Sequence, residues 1–199
     1  MIPSQQHVQK LLDEFHPTIA EAGRAAFERW LKIPPVERVA LHHARTYANV
    51  IWALFRDEAI ARLGAHPNIR LTHRHNTLGI IAHDRLMLRF KRVNRRGKSR
   101  NFPTLTNLAF YSQLEIPGIP ASCPRAEIGW REDALRLGLE ALEIVMRDGA
   151  TLAWRYSILD QGGASVTPLI APNPTPRQGS EHKSQVRGRR RKRDDSQEA

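Results

Sequence analysis

The hydrophobic period changes once along this chain, close to Gly64, and that change restricts the possible folds more than any other feature. Before it, apolar residues recur every three or four positions, the spacing of helices with a buried face; after it they alternate, the spacing of strands with one face in a core. Val8, Leu11, Leu12 and Phe15 define a short helix over residues 4–15, with Ser4 as N-cap. Pro17 suits the first turn of a second helix, whose apolar face is Ile19, Ala22, Ala26, Phe27, Trp30 and Leu31 and which stops at Pro34-Pro35. A third, long helix is predicted from Pro35 through Leu63, closed by Gly64, with Trp52 off its apolar stripe and so with more than one side to bury.

Beyond the change, Ile69, Leu71, His73 and His75 alternate, then Leu78, Ile80 and Ala82, then Leu86, Leu88 and Phe90. Two or three antiparallel strands are predicted, with His83-Asp84 as a tight turn. Thr104 caps a short helix predicted over 104–114, residues 116–124 form a Pro/Gly loop, and 126–130 read as a strand. Residues 133–147 fit helix or strand, and Asp148-Gly149 signals a C-terminal hairpin. The expected fold class is α+β: a helical N-terminal region (1–64) packed on a small antiparallel sheet (65–160), as one domain over 1–160. From 161 to 199 the chain is rich in Pro, Gly, Ser and Arg and poor in apolar residues, so a disordered tail is expected there.

Hydrophobic residues make up 41% of the chain, enough for a core and too many for wholesale disorder. No apolar run approaches the roughly 20 residues of a membrane span. The start lacks a charged-then-apolar leader, so a cytoplasmic location is expected. A single cysteine, Cys123, excludes an internal disulfide and a multi-cysteine zinc site.

The formal net charge is +11, and its distribution is the strongest functional signal. Residues 84–101 carry eight basic residues and one acid. On a strand, Arg85, Arg89 and Lys91 face away from Leu86, Leu88 and Phe90, and Arg92, Arg95, Arg96, Lys98 and Arg100 continue the charge into a loop. Such a row suits the phosphates of a nucleic acid, with Phe102, Phe110 and Tyr111 near enough in sequence to stack on bases. The competing readings are an acidic protein partner and a solvated face whose charges pair with Glu115, Glu127, Glu132 or Asp133. The tail cluster Arg187, Arg189, Arg190, Arg191, Lys192 and Arg193 reads as an auxiliary arm that adds non-specific affinity.

Enzymatic signals are sparse. His73 and His75 share a strand face, and a general acid/base role beside Arg89 and Lys91 suits metal-independent RNA cleavage. Ordinary strand histidines are the competing reading. No metal-ligand spacing, P-loop or GxSxG is present, so no metal or cofactor is expected. Cys123 beside Arg125 has no identifiable base to activate it.

The run LMLRFKRVNRRGKSRNFPT, then LEIPGIP at 114–120, GW at 129–130 and AWRYSIL at 153–159, is similar to a poorly characterised bacterial family. Its members resemble partners of a helix-turn-helix regulator fused to a metallopeptidase-like domain, an arrangement that looks like a toxin–antitoxin pair. The resemblance implies the effector half of a two-gene stress or phage-defence module and carries over no catalytic residue. The leading expectation is therefore nucleic-acid binding through 85–100. The alternatives are a toxin-like ribonuclease using His73 or His75 and a module for an acidic protein partner.

Overall fold

The computed structural model describes residues 2–74, 77–99, 104–116, 119–120 and 123–159, all within one compact unit, Met1–Ala164. The fold is α+β. The elements run α1 (Gln5–Leu12), a 3-10 turn (Asp13–Phe15), α2 (His16–Lys32), α3 (Pro35–Ala40), α4 (Ala44–Leu63), β1 (Ile69–Arg74), β2 (Thr77–Ala82), β3 (Leu86–Arg92), α5 (Leu105–Tyr111), β4 (Arg125–Glu132), β5 (Leu139–Asp148) and β6 (Thr151–Ser157).

The capping residues read from sequence behave as expected: Ser4 Oγ accepts the His7 N–H, and Thr104 Oγ1 accepts that of Asn107. The long helix expected over 35–63 is broken at Leu41–His43. The His42 carbonyl released by the break accepts from Arg136, whose guanidinium also lies 4.9 Å from the Tyr47 ring centroid. That capture satisfies a backbone group that a continuous helix would have bonded internally. Below the break, α4 buries Tyr47, Ile51, Phe55, Ala59 and Leu63, while α3 buries nothing.

The six strands form one sheet in chain order. All neighbours are antiparallel except β3 and β4, which pair in parallel. The sheet is therefore larger than expected and mixed. A parallel pair needs a crossover, and residues 93–124 supply it. The two faces of the sheet are covered differently. Leu78, Ile80, Leu88, Phe90, Ile128, Trp130, Leu142 and Ile144 join the core of α1, α2 and α4. There Phe55 and Phe27 meet Trp130 with centroids 6.0 and 5.9 Å apart. On the other face Ile81, Met87, Phe110, Ile116 and Cys123 form a smaller core under the crossover. Gly129 lies where Val93 folds back over β4; a Cβ there would come within 3.0 Å of both Val93 and Val145.

The turns follow the sequence. His83 (φ 51°) and Asp84 (φ 53°) are both left-handed and form a tight turn closed by the Arg85 N–H on the Ala82 carbonyl (2.9 Å), within a three-residue loop between the paired Ala82 and Leu86. Residues 139–148 are strand and the 148–151 turn is a hairpin, with Asp148 opposite Thr151. No described helix is long and apolar enough to cross a membrane.

Candidate nucleic-acid interface

The crossover leaves β3 through a short hairpin-like loop closed by a Val93–Ser99 bridge. Asn94 builds it. Its Oδ1 accepts the N–H of Arg96 (2.9 Å) and of Lys98 (3.0 Å), and its own N–H reaches the Lys98 carbonyl at 3.0 Å. Gly97, at φ +67°, takes the one left-handed position. Two arginines from the C-terminal hairpin then hold the loop from below. Arg147 Nη2 donates to the Gly97 carbonyl (2.5 Å) and Arg155 Nη1 to that of Arg95 (2.9 Å). With its backbone fixed, the loop turns Arg95, Arg96 and Lys98 outward. All three are exposed, and none has a side-chain hydrogen bond or carboxylate partner among the described residues.

Beneath the loop lies a buried charge network centred on Glu127, only 1% exposed. Parallel pairing puts Arg89 directly beside it. Glu127 Oε1 accepts from Arg89 Nε (3.3 Å) and Nη2 (3.1 Å) and from the Tyr111 hydroxyl (2.8 Å). Oε2 accepts from Ser99 Oγ at 3.2 Å and pairs with Arg147 Nε at 3.9 Å. Arg89 Nη1 donates to Asn107, and its guanidinium lies 3.6 Å from the Phe110 ring centroid. The same Arg147 that ion-pairs with Glu127 thus holds the carbonyl of Gly97, so the loop is coupled to the buried carboxylate.

This network divides the basic row expected from sequence. Arg89 is removed from the phosphate-contacting set, because it is 4% exposed and neutralised by Glu127. Arg92 is removed too: it points to the helical face, over Tyr47 and Trp130, and is ion-paired with Glu132 through two contacts. Phe110 is buried and Tyr111 bonds Glu127, so neither is presented to a base. Lys91 stays half-exposed beside the network; burial and the Arg89 charge pull its pKa down, and Glu127 pushes it up by less. Arg85 is exposed at the opposite end of β3, roughly 20 Å from the loop at about 3.3 Å per residue. Arg100, His75, Phe102 and the tail residues Arg187, Arg189, Arg190, Arg191, Lys192 and Arg193 lie outside the described residues.

Of the two candidate histidines only His73 is described, and the sheet sets it apart from the cations it was expected to work beside. His73 pairs with Leu78 and alternates with Leu71, so it belongs to the helical face, and it is exposed. Arg89 and Lys91 belong to the other face. His73 therefore has no access to the cations that a phosphoryl-transfer role needed. Cys123 is buried, and burial raises its pKa more than Arg125 lowers it, so it is held as a thiol. Among the described residues no group of three His, Cys, Asp or Glu side chains is placed to hold a metal ion. The residues that sequence reading missed are Arg147 and Arg155. Their only signal was the hairpin itself, which carries basic residues at strand positions where apolar or neutral ones are usual.

Comparison of the chain with known protein families, curated proteins and solved structures gives no match. The fold and the loop define the class on their own terms: an α+β protein whose mixed sheet lies between a helical layer and a crossover that carries an anchored basic loop.

Proposed function

We propose that this protein binds nucleic acid through the loop at 94–98, with Arg95, Arg96 and Lys98 contacting phosphates. One observation carries the reading. The backbone of this loop is held by Asn94, Arg147 and Arg155, while its three cations are left without a counter-charge among the described residues. Fixing the backbone lowers the entropy lost on binding, and unpaired exposed cations release counterions at every phosphate they neutralise. Lys91 adds a fourth positive charge along the same face. Contacts of this kind position a polyanion and carry no sequence preference. In the two-gene setting implied by the resemblance, an acidic regulator would cover the same loop and compete with nucleic acid.

The test is a salt titration by fluorescence polarisation on duplex DNA and on single-stranded RNA. Three phosphate contacts contribute about −2.7 to the slope of log K against log salt on duplex DNA. Replacing Arg95, Arg96 and Lys98 together by Gln is expected to make the slope shallower by about that amount, a loss of roughly forty-fold in the affinity change between 50 and 200 mM salt. Unchanged affinity and slope in the triple variant overturn the assignment. Retention of an acidic protein with no retention on either nucleic acid transfers the loop to a protein partner.

A further inference from the structure

At the opposite end of β3 an open groove of about 870 Å3 runs between α1 with its 3-10 turn and the β2–β3 turn. His7, Lys10, Leu11 and Glu14 are spaced i, i+3, i+4 and i+7, so the helical segment offers them on one face. The β2–β3 turn contributes His83 and Arg85 from the other wall. Neither cation, Lys10 nor Arg85, has a carboxylate partner among the described residues. Asp13 is at the rim, 3.9 Å from His16 on its other side.

Glu14 organises the wall. Its Oε1 lies 2.9 Å from His83 Nε2, and its Oε2 lies 3.9 Å from His66 Nε2. Asn68 Nδ2 also donates to Oε1, at 3.4 Å. His66 Nδ1 accepts the Asn68 N–H at 3.2 Å, so the proton of the neutral ring sits on Nε2, toward Glu14. The His83 ring is fixed in the same way: Nε2–H on Glu14, the ring against Phe15 at 5.4 Å, and the backbone N–H on the Asn68 carbonyl at 2.8 Å. Nδ1 is then the nitrogen with the lone pair, and it has no partner among the described residues. A carboxylate that fixes one imidazole nitrogen and leaves the other free is the arrangement of a general base. His7, exposed on the facing helix, is a second imidazole in the same groove.

We propose that this groove is a metal-independent ribonuclease site. Two imidazoles that line one groove with two cations lacking a carboxylate partner among the described residues match a reaction that takes one proton, gives one, and accumulates charge on phosphoryl oxygens. In RNA transesterification, His83 Nδ1 takes the proton of the 2′-hydroxyl and the 2′-oxygen forms a bond to phosphorus. The bond from phosphorus to the 5′-oxygen breaks, and the protonated His7 gives its proton to that oxygen. Lys10 and Arg85 neutralise the phosphoryl oxygens, and Glu14 is a positioning residue that sets the His83 tautomer. The products are a 2′,3′-cyclic phosphate and a 5′-hydroxyl, and exchange with water returns both imidazoles to their starting states. The proposal rests on the nucleic-acid reading in one respect, that the polyanion is RNA.

The experiment incubates the full chain with a single-stranded RNA oligonucleotide carrying a fluorophore and a quencher, in excess EDTA, with mass spectrometry of the new ends. Cleavage leaving cyclic phosphate ends is expected. His83→Gln and His7→Gln should each lower kcat by about 10²- to 10⁴-fold, the usual worth of a general acid or base. His7 is exposed and His83 partly so, and an unchanged melting temperature shows that the fold is kept. Glu14→Gln should lower kcat with KM nearly unchanged, and Arg85→Gln should raise KM. RNA that is bound by the wild-type protein and left intact overturns the catalytic assignment and leaves the binding proposal standing. Cleavage that survives in folded His83→Gln and His7→Gln variants overturns it as well.

Discussion

Replacing Glu127 by Gln tests whether Arg89 is structural or available to a ligand. The side chain keeps its shape and loses its charge. Oε1 can still accept from Arg89 and Tyr111, and the Ser99 hydroxyl can turn to accept from the new amide, but that amide nitrogen also faces Arg147, a donor near a donor. Arg89 and Arg147, 4% and 6% exposed, are left with no negative charge between them. Breaking a buried ion pair from one side costs about 3–5 kcal/mol. For a folded unit of this size each kcal/mol is worth about 2–4 °C, so the melting temperature should fall by roughly 6–20 °C. Urea denaturation should show a lower midpoint at unchanged m, which assigns the loss to stability rather than to a changed unfolded state. Combining Glu127→Gln with Arg89→Met should cost less than the two single changes added together, because the pair acts as one unit. A loss below about 1 kcal/mol would refute the reasoning. It would mean that solvent already compensates Arg89, and the arginine would return to the set able to meet a phosphate.

Two further outcomes follow from the same site. Burial and the Arg89 charge lower the Lys91 pKa, so its charge costs more in the folded state than in the unfolded one. Lys91→Met should therefore be as stable as the wild type or more so at pH 7, and its advantage should shrink as pH rises through the lowered folded pKa toward the ordinary lysine value, where the wild type loses the penalty too. Matched thermal melts across that range check the sign, and an advantage that grows with pH contradicts it. Gly97→Ala changes no charge but puts a Cβ at φ +67°, 3.3 Å from Arg155 Cδ. It should cost about 1–2 kcal/mol and weaken nucleic-acid binding together with stability, measured by melting and polarisation. Full affinity in this variant would show that the cations work without a fixed loop.

Much of the architecture was legible because it rests on local patterning. The helix faces, the caps Ser4 and Thr104, the His83-Asp84 turn and the Asp148-Gly149 hairpin each depend on a few neighbouring residues. The break at Leu41–His43 was not legible, because it is satisfied by Arg136, 94 residues away. The parallel β3–β4 pair was hidden for a similar reason. Alternation tells which face a residue belongs to and says nothing about the direction of the neighbouring strand.

The same limit governs the charge. Residues 84–101 hold eight basic side chains, and in sequence all eight compete equally for an anionic partner. Folding separates them by what lies across the sheet. Arg89 meets Glu127 because the two are paired in parallel register, and Arg92 meets Glu132 on the other face. Both acids come from a strand more than thirty residues away in sequence. Arg85 goes to the groove at one end, while Arg95, Arg96 and Lys98 go to the loop at the other. A continuous basic row would imply one extended track for a polyanion. Two basic groups at opposite ends of one strand, with Arg89 and Arg92 between them paired internally, fit the two separate sites proposed above. At the loop the cations stand alone and suit holding; at the groove they stand beside imidazoles and a carboxylate and suit chemistry. The triple loop variant and the His83 and His7 variants should therefore separate cleanly, the first lowering affinity and the second lowering turnover. Loss of both properties from either set would mean that the two ends form one site after all.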